Sequence, residues 1–137
     1  MELASLKAKR IMKSTKLAFF YGFLVWAMPF VVAFLIFPLR SSDRPFFESI
    51  MSVAVTAATV IFTVLYFQTI ETSFLKEGIL LGAIFFAVSI ALDLLMFSRG
   101  PMAMSFVEYI KDIGFTYLLI PTITIGFGYS LDKKKAV

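Results

Sequence analysis

The acidic side chains in the second half of the chain are the residues that could do chemistry. Asp93 lies inside an apolar segment, near its end, and several charged residues follow within a short distance. A charge inside a membrane-spanning segment is costly, so it is normally paired or faces a cavity. The candidate charge cluster consists of Asp93, Arg99, Glu108, Lys111, Asp112 and, from an earlier connection, Glu48.

One interpretation of this cluster is structural. The sequence predicts that Asp93 faces inward and pairs with Arg99 or Lys111. The hydroxyl of Tyr109 or Tyr117 would lie nearby. In that case the charges stabilise the packing of helices and bind nothing.

The other interpretation of the cluster is functional. Glu48 and Glu108 each begin a predicted helix, where the helix dipole alone stabilises a negative charge. With Asp93 and Asp112 they could instead form an acidic vestibule that attracts a cation or an amine. Oxygen ligands would suit a hard cation such as Mg²⁺ or Ca²⁺. However, no metal-ligand spacing is present, so the sequence predicts no metal site and no cofactor.

Two residue types are missing from the chain. It contains no Cys, which excludes disulfides, thiolate metal sites and thiol catalysis. It contains no His, which removes the commonest general base and metal ligand. The remaining carboxylates are scattered, so we do not expect an enzyme.

The elements that must position these charges are membrane helices. The chain of 137 residues is 60% hydrophobic and 16% charged, whereas a soluble domain is about 45–50% apolar. A spanning helix needs about 20 apolar residues. We predict an all-α four-helix bundle with spans at 17–39, 49–70, 78–98 and 105–131. Basic segments flank it at 1–16 and 132–137.

Small and hydroxylated residues mark a predicted helix-contact stripe. On the second span they recur at spacings of three and four residues, which is one helix face. The third span opens with two glycines four residues apart. Such residues let membrane helices approach closely, although a hydrated pathway lined by hydroxyls is the alternative. The stripe consists of Ser52, Thr56, Thr59, Thr63, Gly78 and Gly82.

The start of the fourth span carries a local signal. Ser105 followed by Glu108 has the form of a capping box, so a helix begins there. It could run straight to Leu131, or residues 105–112 could form a separate turn that bends at Gly114. Because no proline intervenes before Pro121, the sequence favours the continuous helix.

The distribution of cations predicts the orientation in the membrane. Nine of the 13 cations lie in the N-terminal segment, the 71–77 turn and the C-terminal tail, against four in the other two connections. The positive-inside rule then places both termini in the cytoplasm of a multi-pass protein of the plasma membrane.

A weak internal repeat is also present. Phe-x-Glu-x-Ile occurs at 46–50 and again at 106–110, an offset of 60 residues. The repeat would make two parallel helical hairpins related by an axis along the membrane normal. Chance matches are common in apolar sequence, so duplication is one of two interpretations.

The runs LDLLMFSRGPMAMSFVEYIKDIGFTYLLIPTITIGFGY and RPFFESIM resemble a group of small uncharacterised prokaryotic membrane proteins with four predicted spans. The resemblance covers most of the chain after Leu17. It implies the four-span architecture and supplies no activity and no functional residues. The first span lacks the intramembrane Glu of the small multidrug exporters, and the glycine- and asparagine-bearing motifs of the small fluoride channels are not found.

Two function classes remain open from the sequence. The first is an oligomeric channel or transporter for a small solute or cation, because four helices alone enclose little space. The second is a non-catalytic membrane subunit, assembly factor or scaffold. The expected partners are the lipid bilayer and either further copies of the chain or another membrane protein. Nucleic acid is not expected, because a cytoplasmic positive bias explains the net charge of +4.

Overall fold

Helices account for nearly all of the chain in the computed structural model, which describes residues 2–97 and 105–136. No strand occurs within these two ranges, so the predicted all-α class is confirmed. In chain order the elements are α1 (Glu2–Leu35), α2 (Leu39–Ser42), α3 (Arg44–Phe67), α4 (Phe74–Phe97), α5 (Phe106–Asp112), a 3₁₀ segment (Gly114–Leu118) and α6 (Leu119–Ala136).

Local capping decides where the helices begin and end. Asp43 caps α3, and its carboxylate accepts the backbone N–H of Phe46 at 3.3 Å. A proline in the first turn of α3 supports the same start. α1 passes through Pro29 and ends at Leu35, shortly before Pro38. The helix bounds therefore differ by a few residues from spans read from hydropathy.

Four helical stretches are long and apolar enough to cross a membrane: Thr15–Leu35, Arg44–Phe67, Phe74–Met96 and Gly114–Lys134. Their outer surfaces are strongly apolar. Phe34 and Leu95 are each 73% exposed, and Phe115 is 70% exposed. Side chains of this kind belong in hydrocarbon rather than in water. The chain is therefore a multi-pass membrane protein built as a four-helix bundle.

The four long helices pack as a ring. α1 packs against α3 and α4, and α6 packs against α4 and α3. The two hairpins thus lie side by side, with α1 next to α4 and α3 next to α6. A two-fold axis along the membrane normal would place these equivalent helices diagonally opposite. The axis expected from the internal repeat is therefore wrong, although the hairpins do run parallel.

The contact between α4 and α6 is made by glycines. A Cβ on Gly78 would lie 2.5 Å from the carbonyl oxygen of Thr124, and one on Gly82 would lie 2.9 Å from Cα of Pro121. A Cβ on Gly128 would collide with the carbonyl oxygen of Phe74. The two backbones are in direct contact, as the Gly78–Gly82 spacing predicts.

The prediction of one continuous helix from residue 105 to residue 131 is wrong. The start is right, because the Ser105 hydroxyl accepts the Glu108 N–H at 3.2 Å and the Glu108 carboxylate accepts the Ser105 N–H at 3.3 Å. The helix then ends at Asp112. Ile113 has φ −122° and ψ −50°, and a 3₁₀ segment follows from Gly114.

The bundle has two ends that differ in their connections. We call the end formed by the last turn of α3, the first turn of α4 and the last turns of α6 the terminal end. We call the opposite end, with α2 and α5, the distal end. Between them the interior is filled by apolar side chains that include Val25, Phe62, Phe85 and Ile120.

Candidate functional site

Asp93 lies on the inner face of α4 near the distal end, with 5% of its surface exposed. Its Oδ1 accepts the indole N–H of Trp26 at 2.7 Å, and its Oδ2 accepts the hydroxyl of Tyr109 at 2.8 Å. The hydroxyl of Tyr117 also interacts with this carboxylate. The carboxylate faces inward and meets the two tyrosines, as the sequence predicts.

Asp93 was predicted to pair with Arg99 or Lys111, and of these two the Lys111 side chain is exposed and forms no ion pair with it. The alternative partner, Arg99, lies outside the described residues. Among the residues that the structure describes, the groups against this carboxylate are neutral hydrogen-bond donors. Three donors still leave one lone-pair position of a carboxylate open.

Each donor comes from a different element. Trp26 lies on α1, Tyr109 on α5 and Tyr117 in the 3₁₀ segment. In a straight helix, residues eight apart would be separated by about 12 Å along the axis. The chain breaks at Ile113 and Gly114, between the two tyrosines, and both hydroxyls meet one carboxylate. The interruption of the fourth span thus lies between two of the groups that contact Asp93.

Tyr109 stays a donor at this site. Burial raises the pKa of its hydroxyl above the usual value, and the neighbouring Asp93 carboxylate raises it further. The neutral form is the one that can donate a hydrogen bond. The proton of Tyr109 is therefore held on the oxygen that faces Asp93.

A cavity of about 230 Å³ opens beside Asp93, between α1, α3 and the 3₁₀ segment. Aromatic rings form much of its wall, and the rings of Trp26 and Phe30 are stacked with their centroids 5.0 Å apart. Phe34, Phe37, Phe47 and Tyr117 supply further rings. The cavity is thus an aromatic chamber with a carboxylate in its wall.

Two other charged residues line the same cavity, Arg40 and Glu48. Glu48 is exposed and pairs with Arg44 one turn earlier on α3, with Arg44 Nε 3.2 Å from its Oε1. An exposed pair of this kind contributes little to stability. These charges therefore border the chamber, whereas Asp93 is buried in it.

The predicted acidic vestibule is only partly present. Glu48 and Asp93 line the cavity together. Glu108 does not line it and is engaged in capping α5 through Ser105. The side chain of Asp112 lies outside what the structure describes. Two of the four predicted carboxylates, Glu48 and Asp93, therefore share a site.

The hydroxyl residues of the stripe on α3 differ in burial. Thr59 and Thr63 are fully buried, whereas Thr56 and Ser52 are half-buried at a groove facing α6. Three of these hydroxyls make hydrogen bonds within α3 itself. Ser52, Thr56 and Thr59 each donate to the carbonyl oxygen four residues earlier on α3, at 2.7–3.0 Å.

Sequence reasoning missed two polar contacts at the terminal end. The Asp132 carboxylate accepts the backbone N–H groups of Phe74 at 3.0 Å and Leu75 at 2.7 Å, and so caps α4 from α6. The Tyr66 hydroxyl donates to Glu77 Oε2 at 2.8 Å. No local spacing marks either contact, since the first joins residues 58 and 57 apart.

It also missed Trp26 as a partner of Asp93. A signal was available, because a buried indole N–H normally finds an acceptor and the apolar spans offer few. Trp26 is the only tryptophan of the chain. The site as built can accept one further hydrogen bond, a cation or a proton at Asp93.

No group of three or more acidic, His or Cys residues in the described ranges could hold a metal ion. The sequence matches no protein-family model, and neither the sequence nor the fold matches a curated protein or a solved structure.

Proposed function

We propose that the protein is a membrane transporter that binds a small organic cation in the aromatic chamber beside Asp93. The observation that carries the proposal is a carboxylate, 5% exposed, that borders a cavity and is contacted by neutral donors of the described chain. A buried carboxylate is costly unless a positive group or a proton compensates it. A cationic solute would supply that compensation.

The wall of the chamber suits the same class of solute. Aromatic faces attract ammonium groups, and the attraction is stronger where water is excluded. Trp26 and Tyr117 contact Asp93, and the ring of Phe30 stacks on that of Trp26. The volume of about 230 Å³ is below the range of about 300–1,000 Å³ that drug-sized ligands occupy. A compact amine with one aromatic or aliphatic group fits these limits.

The two ends of the bundle support a transport cycle. The chamber lies at the distal end, whereas the α4–α6 backbone contact and the Asp132 cap lie at the terminal end. A solute that enters the chamber stops at Asp93, and release on the other side requires the terminal end to open. One chain lines the chamber, so binding does not require the homo-oligomer that a continuous pore would need.

In this proposal both termini lie in the cytoplasm and the chamber faces the outside of the plasma membrane. The support is the excess of cations in the termini and the 71–77 turn. Because the chain has no Cys, single cysteines report orientation without background. Ser42→Cys should react with an impermeant thiol reagent applied to cells, and Thr72→Cys should not. The reverse labelling pattern would show that the termini lie outside and would contradict the proposed orientation.

Binding can be measured with the tryptophan of the chamber itself. Trp26 hydrogen-bonds Asp93, so a ligand that reaches the carboxylate should change its fluorescence. We expect 2-phenylethylamine to do so and 2-phenylethanol, which has the same shape without the charge, to have little effect. Asp93→Asn should abolish the response. Asp132→Asn, which changes an acid at the terminal end, is the matched control and should keep it.

Uptake of labelled 2-phenylethylamine into proteoliposomes then tests transport. Uptake by the wild type and its loss in Asp93→Asn would support the proposal. Binding without uptake would favour a non-catalytic membrane subunit that senses or retains a cation. The absence of any response to a panel of small amines would overturn the cation site.

A further inference from the structure

A second cavity lies on the outer surface of the bundle, where α3 runs beside the 3₁₀ segment and α6. It is an open groove of about 700 Å³. Val53 and Ala57 lie in the wall formed by α3, and Phe115 and Leu119 lie in the opposite wall. Val53 is 69% exposed and Phe115 is 70% exposed. Because its apolar walls are exposed, the groove opens to the hydrocarbon of the membrane.

This groove adjoins the aromatic chamber beside Asp93. Ser52 on α3 and Thr116 in the 3₁₀ segment line both cavities. Thr116 directly precedes Tyr117, whose hydroxyl interacts with the Asp93 carboxylate. Both shared residues have small side chains, so little side-chain volume stands between the two cavities. A solute bound at Asp93 therefore has a route from the chamber into the groove.

The hydroxyl groups in the groove do not make it a polar site. Ser52, Thr56 and Thr122 each donate to a carbonyl oxygen four residues earlier in the chain, at 2.8–3.0 Å. A hydroxyl has one proton to donate, so these three have none left for a solute. The groove consequently suits a hydrocarbon chain better than a polar group.

The groove extends deeper into the membrane than Asp93 does. Asp93 lies four residues from the distal end of α4 at Phe97, about 6 Å at about 1.5 Å per residue. The groove residues 52–57 lie eight to 13 residues from the distal start of α3 at Arg44, about 12–20 Å. A molecule with a charged group at Asp93 and a chain in the groove would thus have the orientation of an amphiphile in a lipid leaflet.

We propose that the ligand of the chamber is a single-chain alkylamine, whose ammonium group binds at Asp93 and whose hydrocarbon chain passes between Ser52 and Thr116 into the groove. This inference rests on the cation site proposed above and names its ligand class. The chamber of about 230 Å³ then holds only the head of the molecule. The chain stays in apolar surroundings throughout, so binding does not expose it to water. The carboxylate distinguishes the amine from neutral lipids.

The response of Trp26 to amines of different length tests the inference in lipid nanodiscs. The wild type should respond to both 2-phenylethylamine and dodecylamine. Ala57→Phe and Thr122→Phe, which add a ring to the groove from opposite walls, should weaken dodecylamine binding by about tenfold, or about 1.4 kcal/mol. Neither residue lines the chamber, so 2-phenylethylamine binding should not change.

The matched control is Ala87→Phe, an exposed position on α4 that lines neither cavity. It should bind both amines as the wild type does. All variants are compared in the same lipid, so partitioning of dodecylamine into the membrane cancels. An unchanged response to 2-phenylethylamine also shows that the groove variants are folded.

A dodecylamine that carries a photoreactive diazirine at its chain end locates the chain directly. Mass spectrometry should find the label in residues 53–57 and 115–122, and Asp93→Asn should abolish the labelling. Labelling that persists in Asp93→Asn would show that the groove accepts any membrane chain, and would overturn the inference. A second copy of the protein over the groove would block labelling in the wild type, which would overturn it as well.

The two proposals fail in different ways. No response of the wild type to either amine would overturn the cation site and this inference with it. A response to 2-phenylethylamine, with equal dodecylamine binding in the wild type and both groove variants, would overturn this inference alone.

Discussion

The two helical hairpins of this protein pack in different ways. In the α4–α6 hairpin, Gly78, Gly82 and Gly128 bring the two backbones into contact. In the distal half of the α1–α3 hairpin, large rings such as Trp26 and Phe30 stand in the contact, and a cavity of about 230 Å³ remains. Both contacts join long apolar helices. Their difference lies in the size of the residues at the interface.

This comparison shows how a small bundle can be both stable and able to bind. Lipid is as apolar as the helix surfaces, so helices in a membrane associate through close packing and hydrogen bonds. The glycine contact supplies the close packing, and the looser contact leaves room for a solute. Asp93 borders the looser contact, whereas Asp132 at the tight end is used to cap α4.

The largest effect should come from adding one methyl group to the tight contact. In Gly82→Ala the new Cβ would collide with the Thr124 hydroxyl and with Pro121. Overpacking of this kind costs about 1–3 kcal/mol. Thermal unfolding in detergent should show a clear decrease in midpoint. The matched control is Gly126→Ala, since a Cβ there meets nothing within 4 Å. Equal stability of the two variants would contradict the glycine contact.

A slightly smaller loss is expected in the buried half of the α3 stripe. Thr59 is fully buried, so Thr59→Leu should overpack the interior and cost an amount at the lower end of about 1–3 kcal/mol. Thr56→Leu, at a half-buried position, should cost less. Val60→Leu, on another face, should stay within about 0.5 kcal/mol. If all three tolerate leucine equally in the same unfolding assay, the stripe is not a contact surface.

The cap at the terminal end should contribute less again. Asp132→Ala removes the acceptor of two backbone N–H groups of α4, and loss of a helix cap costs about 0.5–2 kcal/mol. The comparison variant is Asp43→Ala, which removes a local cap of α3 at the distal end. We expect Asp132→Ala to lower the free energy of unfolding more than Asp43→Ala does, because it also removes a hydrogen-bonded link between α6 and α4. The opposite ranking in chemical or thermal unfolding would show that the link between α6 and α4 adds no stability beyond that of a helix cap.

The smallest effect on stability is expected at the chamber. Ala33 lines the cavity, so Ala33→Leu places new carbons in empty space rather than against a backbone. We expect a change in unfolding free energy within about 0.5 kcal/mol, or a small gain from filling the cavity. The same variant should weaken the response of Trp26 to 2-phenylethylamine. A loss of stability as large as that of Gly82→Ala would show that the α1–α3 contact is as tight as the α4–α6 contact.

Much of the fold could be predicted from local patterns. The four spans follow from runs of apolar residues, and the start of α5 follows from the Ser105–Glu108 capping box. Gly78 and Gly82 could be placed in a close contact, because small residues at that spacing have one main use in membrane helices. Each of these features depends on residues within one or two helical turns of each other.

The parts of the site that could not be predicted depend on distant residues. The prediction of a continuous fourth helix was wrong because it rested only on the absence of proline. The contact of Tyr109 and Tyr117 with Asp93 joins different elements, so no local sequence pattern indicates it. Of the two predicted partners of Asp93, Lys111 does not pair with it, and the carboxylate instead accepts from neutral donors, one of them Trp26 from 67 residues away.

The sequence alone determined that this chain is a helical membrane protein with an acid inside its third span, since hydropathy and charge are summed along a single helix. Only the tertiary structure decided that α1 lies beside α4, which brings Trp26 to Asp93 and leaves an aromatic cavity next to it. Apolar helices in lipid have many partners of nearly equal energy, and their order around the ring depends on which surfaces fit. Whether two helix surfaces fit depends on both of them, so it cannot be read from the sequence of one helix.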